Sequence, residues 1–180
     1  MSFLVNLFKT RVKQMNITIC GLDGAGKTTL IKFLDTGEFV ETSPTLGINH
    51  ETLHLPKLQL NVFDLGGQED FRPMWHSVNE KSDGIVFLID KTDNIRFDEA
   101  VEAFNNVVKS QVLKDVTVLV ILHKADVPEG ISRSEVIEKL DLVNLNYNWS
   151  CFETSAKTGM NVYDSFKWFV DKLKEVLNVG

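Results

Sequence analysis

Ile17-Thr18-Ile19-Cys20-Gly21-Leu22-Asp23-Gly24-Ala25-Gly26-Lys27-Thr28 is the stretch on which the reading of this chain turns. Residues 17–20 read as a short apolar strand, residues 21–28 match G-x-x-x-x-G-K-[ST], and residues 27–34 read as a helix. A loop of this composition between a strand and a helix is built for phosphate. Its glycines let the main chain bend around the anion, while backbone N–H groups and the positive end of the helix favour negative charge. Lys27 adds a cation near the terminal phosphates, and the hydroxyl of Thr28 suits magnesium. By itself the motif also admits a glycine turn capping an ordinary helix. Signals elsewhere in the chain separate the two readings.

Outward from the loop, strand and helix signals alternate to the end of the chain. Residues 50–55 and 58–64 form a pair linked through Pro56, which predicts a hairpin. Residues 84–90 (GIVFLID) and 117–122 (TVLVIL) are dense in β-branched residues and flank a helical stretch at 96–109. Residues 149–154 give a weaker strand, followed by a helix over 162–177 with apolar spacing at Val162, Phe166, Phe169, Val170 and Leu173. No element is assigned between residues 123 and 148. Near-continuous apolar strands separated by helices predict an α/β fold, with a mainly parallel sheet covered on both faces.

With 180 residues, 43% of them apolar and 24% charged, the chain is long enough to bury one full core and too hydrophobic to be disordered. Its formal charge of −6 argues against a nucleic-acid partner held through phosphates. That charge is uneven: the first 22 residues carry +3, from Lys9, Arg11 and Lys13, and the rest carry −9. The two cysteines, Cys20 and Cys151, lie in apolar strand-like segments and read as buried thiols. This fits a cytoplasmic protein with neither a signal peptide nor a membrane span.

Three further segments carry chemistry. Phe63-Asp64-Leu65-Gly66-Gly67-Gln68 places Asp64 at a strand end, where it can hold a metal through water. Gly67 can bring a backbone N–H to a γ-phosphate, and Gln68 can orient an attacking water. His123-Lys124-Ala125-Asp126 ends the TVLVIL strand, where ligand crevices of parallel sheets lie. The Asp126 carboxylate suits the N1–H and N2–H₂ donors of guanine and is left unpaired by adenine. Lys124 can lay its stem over the purine, and Ser155-Ala156-Lys157 can add backbone and stacking contacts.

Taken together, GLDGAGKT at 21–28, PTLGIN at 44–49, FDLGGQE at 63–69, HKAD at 123–126 and SAK at 155–157 resemble the small GTPases, most closely the Arf/Arl branch of the Ras superfamily. The resemblance covers nearly the whole chain. It implies a three-layer P-loop NTPase fold: a mostly parallel six-stranded sheet with one antiparallel edge strand and helices on both faces. An amphipathic N-terminal helix over 1–14 would precede a GTPase domain over 15–180. GTP or GDP would be held by Asp23, Gly24, Ala25, Gly26, Lys27, Thr28, Thr29, Thr45, Gly67, His123, Lys124, Asp126, Ser155, Ala156 and Lys157. Mg2+ would be held by Thr28, Thr45 and, through water, Asp64, with Gln68 and Lys27 as the catalytic pair. Residues near 40–49 and 66–79 would be the two switches, joined by a hairpin at about 49–63 that slides when the nucleotide changes.

Three features depart from the family pattern. His123 stands where Asn is usual, which leaves open either altered nucleotide affinity or a tolerated loop substitution. Ser2 replaces the glycine that myristoylation requires, so no lipid is expected. Phe3, Leu4, Leu7, Phe8 and Val12 nevertheless form an apolar helical stripe beside Lys9 and Lys13, suited either to docking on the domain or to an anionic membrane surface. In the hairpin, strand alternation groups Ile48 and Phe63 on one face as a partner surface, joined by Trp75 and Val78, and smaller than the family's usual aromatic patch.

The expected protein is a monomeric GTP-binding switch that cycles between GDP and GTP states. It would hydrolyse GTP slowly, with no arginine assignable in cis, and would need exchange factors, activating proteins and effectors. A nucleotide-dependent binding module with negligible hydrolysis is the competing expectation.

Overall fold

The computed structural model describes residues 15–43, 48–55, 58–65, 82–109 and 116–176, with the backbone alone for 48–55 and 58–65. The elements in chain order are β1 (Met15–Gly21), α1 (Lys27–Thr36), β2 (Ile48–Leu55), β3 (Leu58–Leu65), β4 (Gly84–Asp90), α2 (Phe97–Lys109), β5 (Thr117–His123), α3 (Arg133–Lys139), a 3₁₀ turn (Leu142–Asn144), β6 (Asn148–Glu153) and α4 (Val162–Val176). They form a six-stranded sheet in the order β2-β3-β1-β4-β5-β6. Every neighbouring pair is parallel except β2 with β3, so β2 is the antiparallel edge strand that the hairpin predicts.

Side-chain alternation along the strands divides the interior into two cores. Val118, Val120 and Leu122 of β5 join Phe87 of β4 and Ala100, Phe104 and Val107 of α2 on one face. Leu119 and Ile121 meet Leu30, Ile31 and Leu34 of α1 and Phe166, Phe169 and Leu173 of α4 on the other. All five apolar positions assigned to the last helix are buried. Burying a side chain of this size contributes about 1.5–3 kcal/mol, so the two faces supply the main driving force for the sheet. Phe87 and Phe104 meet edge to face at a centroid distance of 5.2 Å, which fixes α2 against β4.

One helix goes unread in the sequence. α3 begins at Ser132, whose hydroxyl accepts from the Glu135 backbone N–H at 3.2 Å, while the Glu135 carboxylate accepts from the Ser132 backbone N–H at 2.8 Å. Ser132-Arg133-Ser134-Glu135 is a capping box, and that local signal announces the helix even though only Val136 of its seven residues is buried. Cys20 and Cys151 are both free and buried, as expected. Desolvation pushes the Cys20 thiol up to about 12 and that of Cys151 to about 11.

The residues 1–14 assigned to an N-terminal helix lie outside the described residues, as do Trp75 and Val78. In the hairpin, His50 pairs with Phe63 and Ile48 with Leu65, so these four positions share one face, as the strand alternation requires.

Gly84 sits where α4 crosses the start of β4. A Cβ there would stand 2.6 Å from Cζ of Phe169 and 3.0 Å from Cδ2 of Leu173. Gly84→Ala is expected to destabilise the fold by about 1–3 kcal/mol in urea denaturation, and Phe169→Leu on top of it should return part of that loss.

Candidate nucleotide-binding cleft

Because β1, β3, β4, β5 and β6 run parallel, their carboxyl ends lie along one edge of the sheet. Chain connections diverge there, from β1 towards the β2–β3 side and from β4 towards β5, which is where open α/β sheets form a crevice. A cleft of about 380 Å³ occupies this edge. Asp23, Gly24, Gly26, Lys27, Thr28, Thr29, His123, Lys124, Asp126, Ser155, Ala156 and Lys157 line it, so twelve of the predicted positions converge there from three separate stretches of chain. Ala25 is the exception within the loop, because its side chain is buried in the core beside α1. Asp64 is the penultimate residue of β3, in register with Ile19 of β1 and so close to the same edge. Thr45, Gly67 and Gln68 lie outside the described residues.

The phosphate-loop motif has the geometry its glycines permit. Gly21 has φ +141°, and a Cβ on it would fall 2.3 Å from the Leu88 carbonyl oxygen. Gly26 occupies the N-cap of α1 with φ +92° and offers no side-chain cap. Lys27 is buried, and its ammonium donates to the carbonyls of Gly21 and Leu22 at 3.0 and 2.9 Å. The cation thereby bridges the two sides of the loop. Thr29 shares a hydrogen bond of 2.8 Å with Thr42, tying α1 to the segment that leads towards Thr45.

At the other end of the cleft, Ser155 donates to Oδ1 of Asp126 at 2.7 Å, and the Lys157 ammonium stands 4.0 Å from Oδ2. The Ser155 hydrogen bond is the main cause that holds the Asp126 carboxyl below its ordinary range, so it is an anion at neutral pH. Lys124, with φ +61°, donates to Asp90 at 2.6 Å, which aligns its stem along the cleft wall.

His123 is 3% exposed. Its Nδ1 is 2.8 Å from the Thr154 hydroxyl, and its Cδ2 and Nε2 would lie 2.7 and 3.2 Å from a Cβ placed on Gly26. The ring therefore packs directly against the loop, and any side chain at Gly26 would collide with it. Burial, helped by the neighbouring Lys124 and opposed by Asp90 and Asp126, lowers the imidazole pKa to about 4. It is neutral under ordinary conditions.

Sequence reasoning passes over Arg96, Asp90 and Thr154. Arg96 donates to the Asp23 carboxylate at 2.8 Å and to the Asp23 carbonyl at 3.1 Å. None of these residues belongs to a motif with fixed spacing, and each meets the cleft only through the sheet topology.

The His123 shift has a consequence for stability. Since the folded-state pKa lies below the ordinary 6.5, the unfolded chain binds more protons between these values, and stability falls as pH drops from about 6.5 towards 4. The contribution is at most roughly 3 kcal/mol. Denaturation midpoints measured from pH 7 to 4.5 should decline less steeply in His123→Asn than in the parent.

Comparison with known proteins agrees with this geometry. The model of the ADP-ribosylation factor family matches residues 1–173. ADP-ribosylation factor-like protein 1 of Saccharomyces cerevisiae is 40% identical over 164 residues, covering 91% of this chain and 90% of the relative. The Arl6 BBS3 small GTPase from Trypanosoma brucei, solved with the bound nucleotide analogue GppNp, superposes with a TM-score of 0.81 at 25% identity, covering 91% of this chain and 99% of that one. This chain belongs to the ADP-ribosylation factor family of small GTPases, and it is a GTP-binding switch that hydrolyses GTP.

Proposed function

We propose that the cleft binds GTP and GDP with residues 21–28 around the phosphates and Asp126 on the guanine edge. The observation that carries this reading is the convergence of Lys27, the amino end of α1, Asp126 and Ser155 on one cleft at the carboxyl edge of the sheet. Lys27 moves from the loop carbonyls to the terminal phosphates when nucleotide enters, and Lys124 lies along the purine. His123 braces Gly26 from below, in place of the usual Asn.

The donor set fits magnesium, since Thr28 lines the cleft beside Lys27 and Asp64 ends a neighbouring strand. Thr28, Thr45 and, through water, Asp64 would hold the ion, which neutralises charge developing on the phosphates when bound. Gln68 orients the attacking water, while Lys27 and the loop N–H groups stabilise the leaving oxygen. Turnover is slow without a partner and rises when an activating protein supplies an arginine. The exchange factor and effectors read the segments near 40–49 and 66–79 and the hairpin face of Ile48 and Phe63.

Residues 2–13 form a reversible membrane element. Among the described residues no helix is long and apolar enough to cross a membrane. The amphipathic stripe and its bases are instead suited to an anionic surface, at about 1 kcal/mol per near-surface Lys or Arg. This element docks in the GDP state and releases in the GTP state.

Single-turnover hydrolysis distinguishes a working GTPase from a binding module. Gln68→Leu should bind GTP like the parent and hydrolyse it at least about tenfold more slowly. Equal rates with and without an activating protein would remove Gln68 from the mechanism. Lys27→Ala should weaken nucleotide binding by about 10–100-fold. In flotation with anionic liposomes, the GTP-loaded protein should rise and the GDP-loaded protein should not; absence of binding in both states rejects the membrane element.

A further inference from the structure

An anion-binding loop with a carboxylate in its middle is in electrostatic conflict with its ligand. Asp23 is the third residue of the phosphate-loop motif and lines the cleft. Its charge would oppose a nucleotide, and a triphosphate more than a diphosphate, because the extra phosphate adds negative charge. Arg96, which directly precedes α2 and is 73 positions from Asp23 in sequence, answers that charge.

The guanidinium is used as a fork. Nη1 donates to Oδ1 of Asp23 at 2.8 Å, and Nη2 donates to the Asp23 main-chain carbonyl at 3.1 Å. On its other side, Nε donates to Oδ2 of Asp93 at 2.7 Å, and the Arg96 backbone N–H donates to Oδ1 of Asp93 at 3.1 Å. Asp93 is anchored in turn, its N–H donating to the Asp90 carbonyl at 3.2 Å. A Cβ on Gly24 would meet Nη2 at 3.8 Å, so the fork lies directly against the loop at residues 23 and 24. A planar five-donor group can bind a carboxylate and a carbonyl on one side and a second carboxylate on the other; an ammonium cannot hold that geometry.

We propose that Arg96 is a positioning residue for the terminal phosphate: by holding the Asp23 carboxylate and main chain, it lets the loop accept GTP as readily as GDP. The inference rests on the reading of residues 21–28 as the nucleotide's phosphate loop. Without the fork, Asp23 carries an uncompensated charge and is free to turn into the cleft. The cost falls selectively on the triphosphate.

The test measures affinities for GDP and for a non-hydrolysable GTP analogue in the parent, Arg96→Gln, Asp23→Asn and the double variant. Arg96→Gln should lower affinity for the analogue relative to GDP by about tenfold, and adding Asp23→Asn should restore the ratio to within about twofold of the Asp23→Asn value. An unchanged ratio, an equal fall for both nucleotides, or a fallen ratio that Asp23→Asn does not restore would overturn the proposal and leave Arg96 a purely structural brace. Should Arg96→Gln fail to fold, Arg96→Lys replaces it: a smaller fall of about threefold is expected, again restored by Asp23→Asn, and an unchanged ratio overturns the proposal. A parent that binds neither nucleotide would refute the reading of the cleft itself, an outcome distinct from any of these.

Discussion

The turn of the main chain between β1 and α1 is the constraint on which the cleft depends. It reverses the chain within six residues, from Gly21 at the end of the strand to Gly26 at the cap of the helix, and it needs left-handed or otherwise glycine-favoured backbone at both ends. Lys27 secures the turn from inside by donating to the Gly21 and Leu22 carbonyls. This arrangement sets the amino end of α1, which has no side-chain cap, beside the cleft, where the helix dipole favours an anion. The loop is therefore suited to an anionic ligand.

Contacts from outside the loop hold it on two sides. His123, at the end of β5, lies against Gly26, and Arg96, at the start of α2, grips Asp23. One contact is neutral and buried, the other charged and half-exposed. Neither works through the loop's own sequence, so the register of β1, β4 and β5 determines whether the loop keeps its shape. The apolar packing of Phe87, Phe104 and Val120 on one face, and of Leu88, Ile121 and Phe169 on the other, maintains that register and with it the shape of the cleft at the edge.

Much of this was legible in the sequence because period and spacing report local geometry. The GIVFLID and TVLVIL runs coincide with central strands to within a residue, and the hairpin about Pro56 yields the antiparallel edge. Lys27, Asp126 and Ser155 were readable because each sits in a short motif at a strand end. Arg96 was not readable: its partner lies 73 positions away, and no local pattern records a contact made by strand order. For His123 the sequence leaves altered nucleotide affinity and a tolerated loop substitution both open, and the structure adds that the ring is buried against Gly26. α3 goes unread for a different reason, since its apolar face is too short to show a period and only its capping box announces it.

The central claim, that this edge is a guanine-nucleotide site, is tested most directly by displacing a fluorescent GDP from the purified protein with unlabelled GTP, GDP and ATP in the presence of magnesium. The account predicts displacement by both guanine nucleotides, with ATP at least about a hundredfold weaker because the Asp126 carboxylate finds no donors on adenine. Equal displacement by ATP, or failure to bind the labelled GDP at all, would contradict it.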